Sequence, residues 1–307
     1  MKKLTEGRKM FLSVMAIFVV YGAIFIIFDD YDRRTIAPLN DAGDWHLFWF
    51  SIVVVGLLAL LLHRYARRMD QRISRDQAEQ QTLMRRQLTQ NIAHELKTPV
   101  ASIMGYTETL LDHPTLPPEQ QRLFLERSLT QSQRLTALLN DLSTLNRMDY
   151  APDMITREDV DLSHLVADIA QETELARQQR GMQLVNQLPA GIVIRGNTSL
   201  LYSVFRNLID NAISYAGRDT TISISAVELG DCWQFTFSDN GVGVERQHLS
   251  RLFERFYRVD KGRSRSMGGT GLGLAIVKNA IQLHGGTVAA LSGPTGGLCF
   301  DFTLKKR

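Results

Sequence analysis

The 307 residues carry 35 Lys and Arg against 32 Asp and Glu, a net charge of +3, with 44% hydrophobic and 22% charged residues. That length gives room for about two domains and the composition is that of a folded chain, while so small and dispersed a charge excludes the strongly basic class that binds nucleic acid. Cys232 and Cys299 lie far apart in strand-like runs with no metal or redox spacing, which leaves them as small hydrophobes in a reducing compartment.

Residues 1–9 form a short basic start, with Lys2, Lys3, Arg8 and Lys9. Residues 10–28 follow as an uncharged apolar run long enough to cross a bilayer. Residues 45–62 are a second such run, with Trp45 and Trp49 near its start as interfacial anchors. Arg64, Arg67 and Arg68 follow it, so basic residues flank both outer ends and place both termini in the cytoplasm. No small-x-small cleavage site follows the first run, which speaks against a removed signal peptide. Residues 29–44, carrying Asp29, Asp30, Asp32, Asp41 and Asp44, are a solvated extracytoplasmic loop too short for a folded sensor. Input is therefore expected through the bilayer or from an accessory membrane protein.

Residues 63–84 are rich in Arg, Gln, Asp and Glu and contain neither Pro nor Gly, which predicts a helix running on from the second apolar run. It continues into residues 85–150, where Leu88, Ile92, Leu96, Ile103 and Leu110 form a stripe at helical spacing on the side opposite His94. His94 therefore points to solvent, with Glu95 beside it and Thr98 one turn on. Pro99 has no N–H for the carbonyl of Glu95, so a bend is expected next to the histidine. A solvated helix face ending at a proline explains the same residues. The segment 113–118 contains Pro114, Pro117 and Pro118 and breaks the helix; Pro118 and Glu119 suit the first turn of a second one. Leu135, Leu138, Leu142 and Leu145 form its apolar stripe. A hairpin with one apolar seam cannot close a core alone, so two chains are expected to pair into an antiparallel four-helix bundle, a homodimer.

From Ala151-Pro152-Asp153 the pattern alternates. Residues 163–180 read as a helix, 182–187 and 192–194 as short strands, and Asn197 as the cap of a helix ending at Tyr215. Residues 221–227 and 233–237 are β-branched or period-2 runs joined through residues 228–231, a hairpin. A helix over 273–284 and strands over 287–291 and 299–304 complete an α+β sandwich over residues 151–307, with helices on one face of a mixed sheet.

Three fragments of this sandwich suit a nucleotide. Asn207 and Asn211 are i and i+4 on one helix, and neutral amide oxygens can complete the shell of a magnesium ion already held by phosphates. Asp239-Asn240-Gly241-Val242-Gly243 leaves a strand; the carboxylate can accept from the exocyclic amine of adenine, and the glycines allow close backbone approach. A plain β-turn accounts for that fragment equally well. Gly268 through Gly273, with Gly269, Thr270, Gly271 and Leu272 between, opens a helix whose amide N–H groups can meet phosphate. It is neither a Walker A loop nor a dinucleotide fingerprint. Lys261, Arg263 and Arg265 offer cations nearby.

Residues 94–99, His-Glu-Leu-Lys-Thr-Pro, resemble the phospho-acceptor box of bacterial sensor histidine kinases. The box, paired asparagines, Asp-x-Gly-x-Gly, a Phe-containing segment at 252–258 and the Gly-rich loop follow one another at that family's spacing, from about residue 80 onward. The resemblance implies a membrane-bound sensor histidine kinase of a two-component system, with two transmembrane helices, a dimeric helical hairpin and a GHKL-type ATP-binding α+β sandwich. By it, His94 takes a phosphoryl group from Mg·ATP and passes it to an Asp of a response-regulator receiver domain. Glu95 accepts a proton or fixes the tautomer, and Thr98 serves a phosphatase reaction on the regulator. Asn211 holds magnesium with Asn207 in support. Asp239, Gly241 and Gly243 hold adenine, while Tyr215, Arg258, Arg263 and Gly269 to Gly273, including Thr270, Gly271 and Leu272, line the rest of the nucleotide site. The implied location is the bacterial cytoplasmic membrane, multi-pass. Many relatives have a lysine three residues after the second asparagine where this chain has Ser214. Many also carry a relay module between membrane and kinase, which residues 63–84 are too short to hold. The alternative is a non-catalytic membrane adaptor that docks a regulator.

Overall fold

The computed structural model describes Gly22 and residues 43–259, 269–293 and 296–306, without the side chains of 43–51, 76–78, 80–81 and 84–85. The chain divides into two compact units, Met1–Gln87 and Leu88–Arg307. A single helix, α1 (Gly43–Asp112), 70 residues long, starts in the first unit and ends in the second. The expected run-on helix is therefore continuous. It passes through Pro99 without interruption, so the expected bend is not a break in the helix. Apart from Gly22, residues 10–28 lie outside the described residues. Of the second apolar run, Val53, Leu57, Leu58 and Leu60 to Leu62 are helical and exposed. Among the described residues no helix is long and apolar enough to cross a membrane.

In the second unit α1 turns at residues 113–117 into α2 (Pro118–Tyr150), which has Pro at its start and Glu119 in its first turn. Tyr106 and Phe124 stack across the hairpin with ring centroids 5.6 Å apart. The α1 stripe (Leu88, Ile92, Leu96, Ile103, Leu110) is half-buried, and His94 is exposed. On α2, Leu138, Leu145 and Met148 are buried, in one core cluster with the sandwich that follows. Part of the α2 stripe is thus covered within this chain. Val100, Met104, Leu111, Leu125 and Leu129 stay exposed, by 40–75%.

A 3₁₀ turn (Pro152–Met154) leads to β1 (Glu158–Asp161), α3 (Leu162–Glu172), α4 (Glu174–Gln178), β2 (Gln183–Gln187), β3 (Val193–Gly196) and α5 (Thr198–Tyr215). The hairpin β4 (Thr221–Leu229) and β5 (Cys232–Asp239) follows, then α6 (Arg246–Leu249), α7 (Gly273–Leu283), β6 (Val288–Ser292) and β7 (Leu298–Lys305). The sheet order is β2-β4-β5-β7-β6, with only β2–β4 parallel. The helices lie over one face: Phe205 of α5 meets Phe235 and Phe302 at 5.7 and 5.8 Å, and those two stack at 5.1 Å.

Four expectations need correction. The helix expected over 163–180 is split at Thr173, whose buried hydroxyl donates to the carbonyls of Ile169 and Ala170, while Arg177 also donates to Ala170. Side chains there compete with the helix ladder. The strand near 192–194 does not enter the main sheet; β3 pairs antiparallel with β1, a strand the sequence pattern did not announce. The turn of the β4–β5 hairpin is tighter than residues 228–231, because Leu229 already faces Cys232 and leaves Gly230 (φ 56°) and Asp231 to turn. Cys232 is only half-buried; Cys299 is buried, and burial, with Asp301 adding, pushes its thiol up to about 11.

Candidate active site

His94 projects from α1 with its ring in solvent, placed there because the apolar stripe claims the opposite side. Thr98, one turn on, donates its hydroxyl to the His94 carbonyl at 3.3 Å. The next residue is less free. Glu95 is half-buried, its Oε2 3.2 Å from a terminal guanidinium nitrogen of Arg258 and 3.8 Å from one of Arg134.

Arg258 links this helix to the sandwich. Its side chain is 6% exposed and also donates to the Gly269 carbonyl at 2.5 Å. Its strand of chain is fixed just upstream by Phe256, which sits at φ 63° and donates its N–H to the Gly271 carbonyl at 2.8 Å. A positive φ is unusual for so bulky a residue. Gly271 (φ 72°) has no room for a side chain, since a β-carbon there would lie 3.0 Å from Phe256 Cα. Thr270 donates to Asp141 Oδ2 on α2 at 2.8 Å and accepts from the Leu272 N–H at 3.2 Å. Burial raises the Asp141 carboxyl above its usual range, with the Thr270 hydroxyl pulling the other way.

The Gly-rich loop ends against α5. Asn197 Oδ1 caps that helix by accepting from the Leu200 N–H at 3.1 Å, and Phe205, Leu208 and Ala212 are buried. Asn207 and Asn211 consequently sit on the opposite, half-buried side. Asn207 donates to the Ser203 carbonyl at 2.7 Å, leaving its oxygen to meet Gly273: a β-carbon at Gly273 would lie 2.5 Å from it. Tyr215, at the far end of α5, reaches Gly269, where a β-carbon would lie 2.7 Å from the phenol oxygen. Among the described residues no group of three or more His, Cys, Asp and Glu could hold a metal, so a magnesium ion held by these asparagines needs phosphate oxygens as its main ligands.

Asp239 ends β5, 7% exposed. Its Oδ1 accepts from the N–H groups of Gly241 (2.9 Å) and Leu298 (3.4 Å); Oδ2 makes no hydrogen bond among the described residues. Burial raises this carboxyl too, against the pull of the two N–H groups. The loop glycines face protein: a β-carbon at Gly241 would lie 2.1 Å from the Ala216 carbonyl oxygen, and one at Gly243 (φ 66°) 2.9 Å from that of Gly297. Their smallness lets the loop close onto the end of α5, where Val242 N–H donates to Ala216 at 3.0 Å.

The structure thus sets the Gly-rich loop and the Asp239 loop against the middle and C-terminal end of α5, which carries Asn207, Asn211 and Tyr215, and Arg258 links the Gly-rich loop to Glu95. Arg263 lies outside the described residues. Sequence reasoning missed Arg134, Asp141, Asp149 and His284. Asp149 takes a bidentate pair from Arg255 at 2.7 and 2.9 Å. The available signal was that Asp141 and Asp149 flank the apolar stripe of α2.

Two family models match the chain: the His Kinase A (phospho-acceptor) domain over residues 84–151 and the histidine kinase-, DNA gyrase B- and HSP90-like ATPase over residues 196–307. Sensor-like histidine kinase SenX3 of Mycolicibacterium smegmatis is 34% identical over 220 residues, 72% of this chain and 57% of that protein. Sensor histidine kinase WalK of Bacillus subtilis is 32% identical over 223 residues, 72% of this chain and 36% of that one. The chain spans about half the length of the SenX3 relatives it matches, the share being 53–57%. Among solved structures, Acinetobacter baumannii histidine kinase AdeS aligns with a TM-score of 0.58 at 24% identity, over 70% of this chain and 98% of that one. Histidine kinase ThkA, solved with the response regulator protein TrrA, gives 0.58 at 18% identity, over 72% and 61%. At these identities the structures speak for the fold.

Proposed function

The chain belongs to the sensor histidine kinases, and on that premise we propose that it phosphorylates His94 from Mg·ATP and transfers the group to an aspartate of a response-regulator receiver domain. The observation that carries this reading is the 3.2 Å contact between Arg258, on the nucleotide side, and Glu95, the neighbour of the exposed imidazole. It brings the helix that carries His94 against the segment before the Gly-rich loop.

In this reading the free Oδ2 of Asp239 accepts from the adenine amine, at the bottom of a loop whose glycines are tightly seated. The N–H groups opening α7 and the cation of Arg258 face the phosphates. Asn211, with Asn207, completes the shell of a magnesium ion, which would supply charge neutralisation to the transferring group. Phosphoryl transfer needs positioning and charge more than covalent help, and a carboxylate adjoining the imidazole suits it to receive the ring proton. Thr98 is proposed to act in regulator dephosphorylation; its hydroxyl bond to a helix carbonyl is weak enough to exchange for water.

The exposed Val100, Met104, Leu111, Leu125 and Leu129 support a homodimeric bundle. The apolar runs at 10–28 and 45–62, with basic outer flanks, support a multi-pass protein of the bacterial cytoplasmic membrane. Its input would come through the bilayer or an accessory membrane protein and pass along the continuous helix α1. A non-catalytic adaptor is not favoured, because the acceptor, the asparagines, Asp239 and the glycines are all present.

The test is incubation with γ-³²P-ATP and magnesium. Wild type should take up label and pass it to a cognate receiver domain, and His94→Gln should take up none. Label retained by His94→Gln would refute the assignment.

A further inference from the structure

The Gly-rich loop is fastened to the hairpin through one hydroxyl. Thr270 donates to Oδ2 of Asp141 on α2 at 2.8 Å, and its oxygen accepts from the Leu272 N–H at 3.2 Å. A threonine hydroxyl has a single proton. While Asp141 holds that proton, no phosphate oxygen can take it. Asp141 is half-buried, and among the described residues Thr270 is its hydrogen-bond partner and no cation pairs with it. Burial raises its carboxyl above the ordinary range, the mark of a negative charge with little to compensate it. A phosphate oxygen that took the Thr270 proton would lie within two hydrogen-bond lengths of this carboxylate, about 6 Å. Like charges at that range in a half-buried site repel, and the repulsion grows with the number of phosphate charges.

A second contact joins the same helix to the sandwich. About two turns further along α2, Asp149 accepts from Arg255 Nη2 on both oxygens, at 2.7 and 2.9 Å, and from Asn279 Nδ2 at 3.4 Å. Leu138, Leu145 and Met148 of α2 share the sandwich core. These groups hold the sandwich on α2 through residues other than the Gly-rich loop. Docking and the charge beside the loop can therefore be separated by mutation.

We propose that Asp141 is a specificity-determining residue of the nucleotide site: from the hairpin it holds the Thr270 hydroxyl and opposes phosphate charge, weakening a triphosphate most, a diphosphate less and the bare nucleoside not at all. This rests on the reading that the Gly-rich loop takes phosphate. It goes beyond that reading by adding a residue of the hairpin to a site otherwise built from the sandwich. By linkage, a bound triphosphate loosens the contact between the loop and α2 by the same factor as that contact weakens the triphosphate.

The experiment titrates the full chain, in the presence of magnesium, with a non-hydrolysable ATP analogue, with ADP and with adenosine, by calorimetry. Asp141→Asn keeps the size of the side chain and an oxygen that can accept from Thr270, so it removes the charge alone. It should bind the ATP analogue about three- to tenfold tighter, ADP by a smaller factor, and adenosine within about twofold of wild type. Asp141→Ser, also neutral, is the second variant and should shift the three ligands in the same order. Asp149→Asn, which weakens docking elsewhere on α2, should leave all three within about twofold. Unchanged or weaker analogue binding by the Asp141 variants overturns the proposal. So does an equal gain for adenosine, or the same gain in Asp149→Asn, since either marks a general loosening of the sandwich from the hairpin. A wild-type chain that binds none of the three ligands, or binds them with an affinity indifferent to their phosphates, removes the underlying reading and is told apart by that control.

Discussion

His284 joins the two helices that carry the proposed nucleotide residues, and its replacement by phenylalanine isolates what that junction contributes. The ring is 5% exposed. Its Nδ1 lies 2.7 Å from the Ala280 carbonyl, which can only accept, so Nδ1 carries the proton. Nε2, 3.0 Å from the backbone N–H of Asn197, must then be the acceptor. One neutral tautomer thus ties the end of α7 to the cap of α5. Phenylalanine fills the ring space but offers neither atom. The Asn197 N–H loses this acceptor, costing about 1–3 kcal/mol, and the Ala280 carbonyl loses a donor, costing about 0.5–1.5 kcal/mol. That carbonyl still holds the His284 N–H at 3.1 Å, so the second figure belongs at its lower end. A total of about 2.5 kcal/mol corresponds to roughly 5–10 °C in Tm for a unit of this size. Thermal unfolding by circular dichroism measures it, and hydrogen exchange at the start of α5 locates it. The exposed His164, whose ring pairs with Asp168 on its own helix, is the control: His164→Phe should change stability by less than about 0.5 kcal/mol. A His284→Phe variant that melts with wild type and keeps its α5 protection would refute the reasoning.

The same ring makes stability depend on pH. Burial lowers its folded pKa below the ordinary 6.5, so the unfolded chain binds the proton first and stability falls as pH drops below about 6.5. The decline between pH 7 and 5.5 should be steeper in wild type than in His284→Phe; parallel curves would count against the assigned tautomer. Gly241→Ala forces a β-carbon 2.1 Å from the Ala216 oxygen and should cost about 3 kcal/mol or more. Gly105→Ala, on α1 with nothing within 4 Å, should instead stabilise by about 0.5–1 kcal/mol; denaturant midpoints separate the two. Asp239→Asn should weaken analogue binding at least about tenfold by calorimetry, since an amide N–H₂ replaces an acceptor at a site built from donors. Unaltered affinity would remove Asp239 from the adenine site.

Much of the site could be read from the sequence because its rules are local. The side of α1 on which His94 lies follows from the spacing of five apolar residues, and the α5 cap from one asparagine. The alternation of residues 221–237 sets a hairpin whose register the structure only tightens. What could not be read joins residues far apart in the chain. Glu95 and Arg258 are 163 positions apart, Thr270 and Asp141 129, and Asn197 and His284 87. Periodicity says which side of an element is polar, not which distant polar group will meet it. β1 escaped for a related reason: Glu158-Asp159-Val160-Asp161 has one buried side chain, Val160, too little for an apolar pattern to register. The glycines of the Asp239 loop show the converse. Their presence was legible, but their backs are turned to Ala216 and Gly297, a packing need that motif spacing cannot distinguish from ligand contact.

The most direct test of the account is the position of the phosphoryl group after incubation of the full chain with Mg·ATP. Tandem mass spectrometry of peptides kept at neutral to alkaline pH should place an acid-labile phosphate on the imidazole of His94. Phosphate at another residue, or none despite measured nucleotide binding, would contradict it.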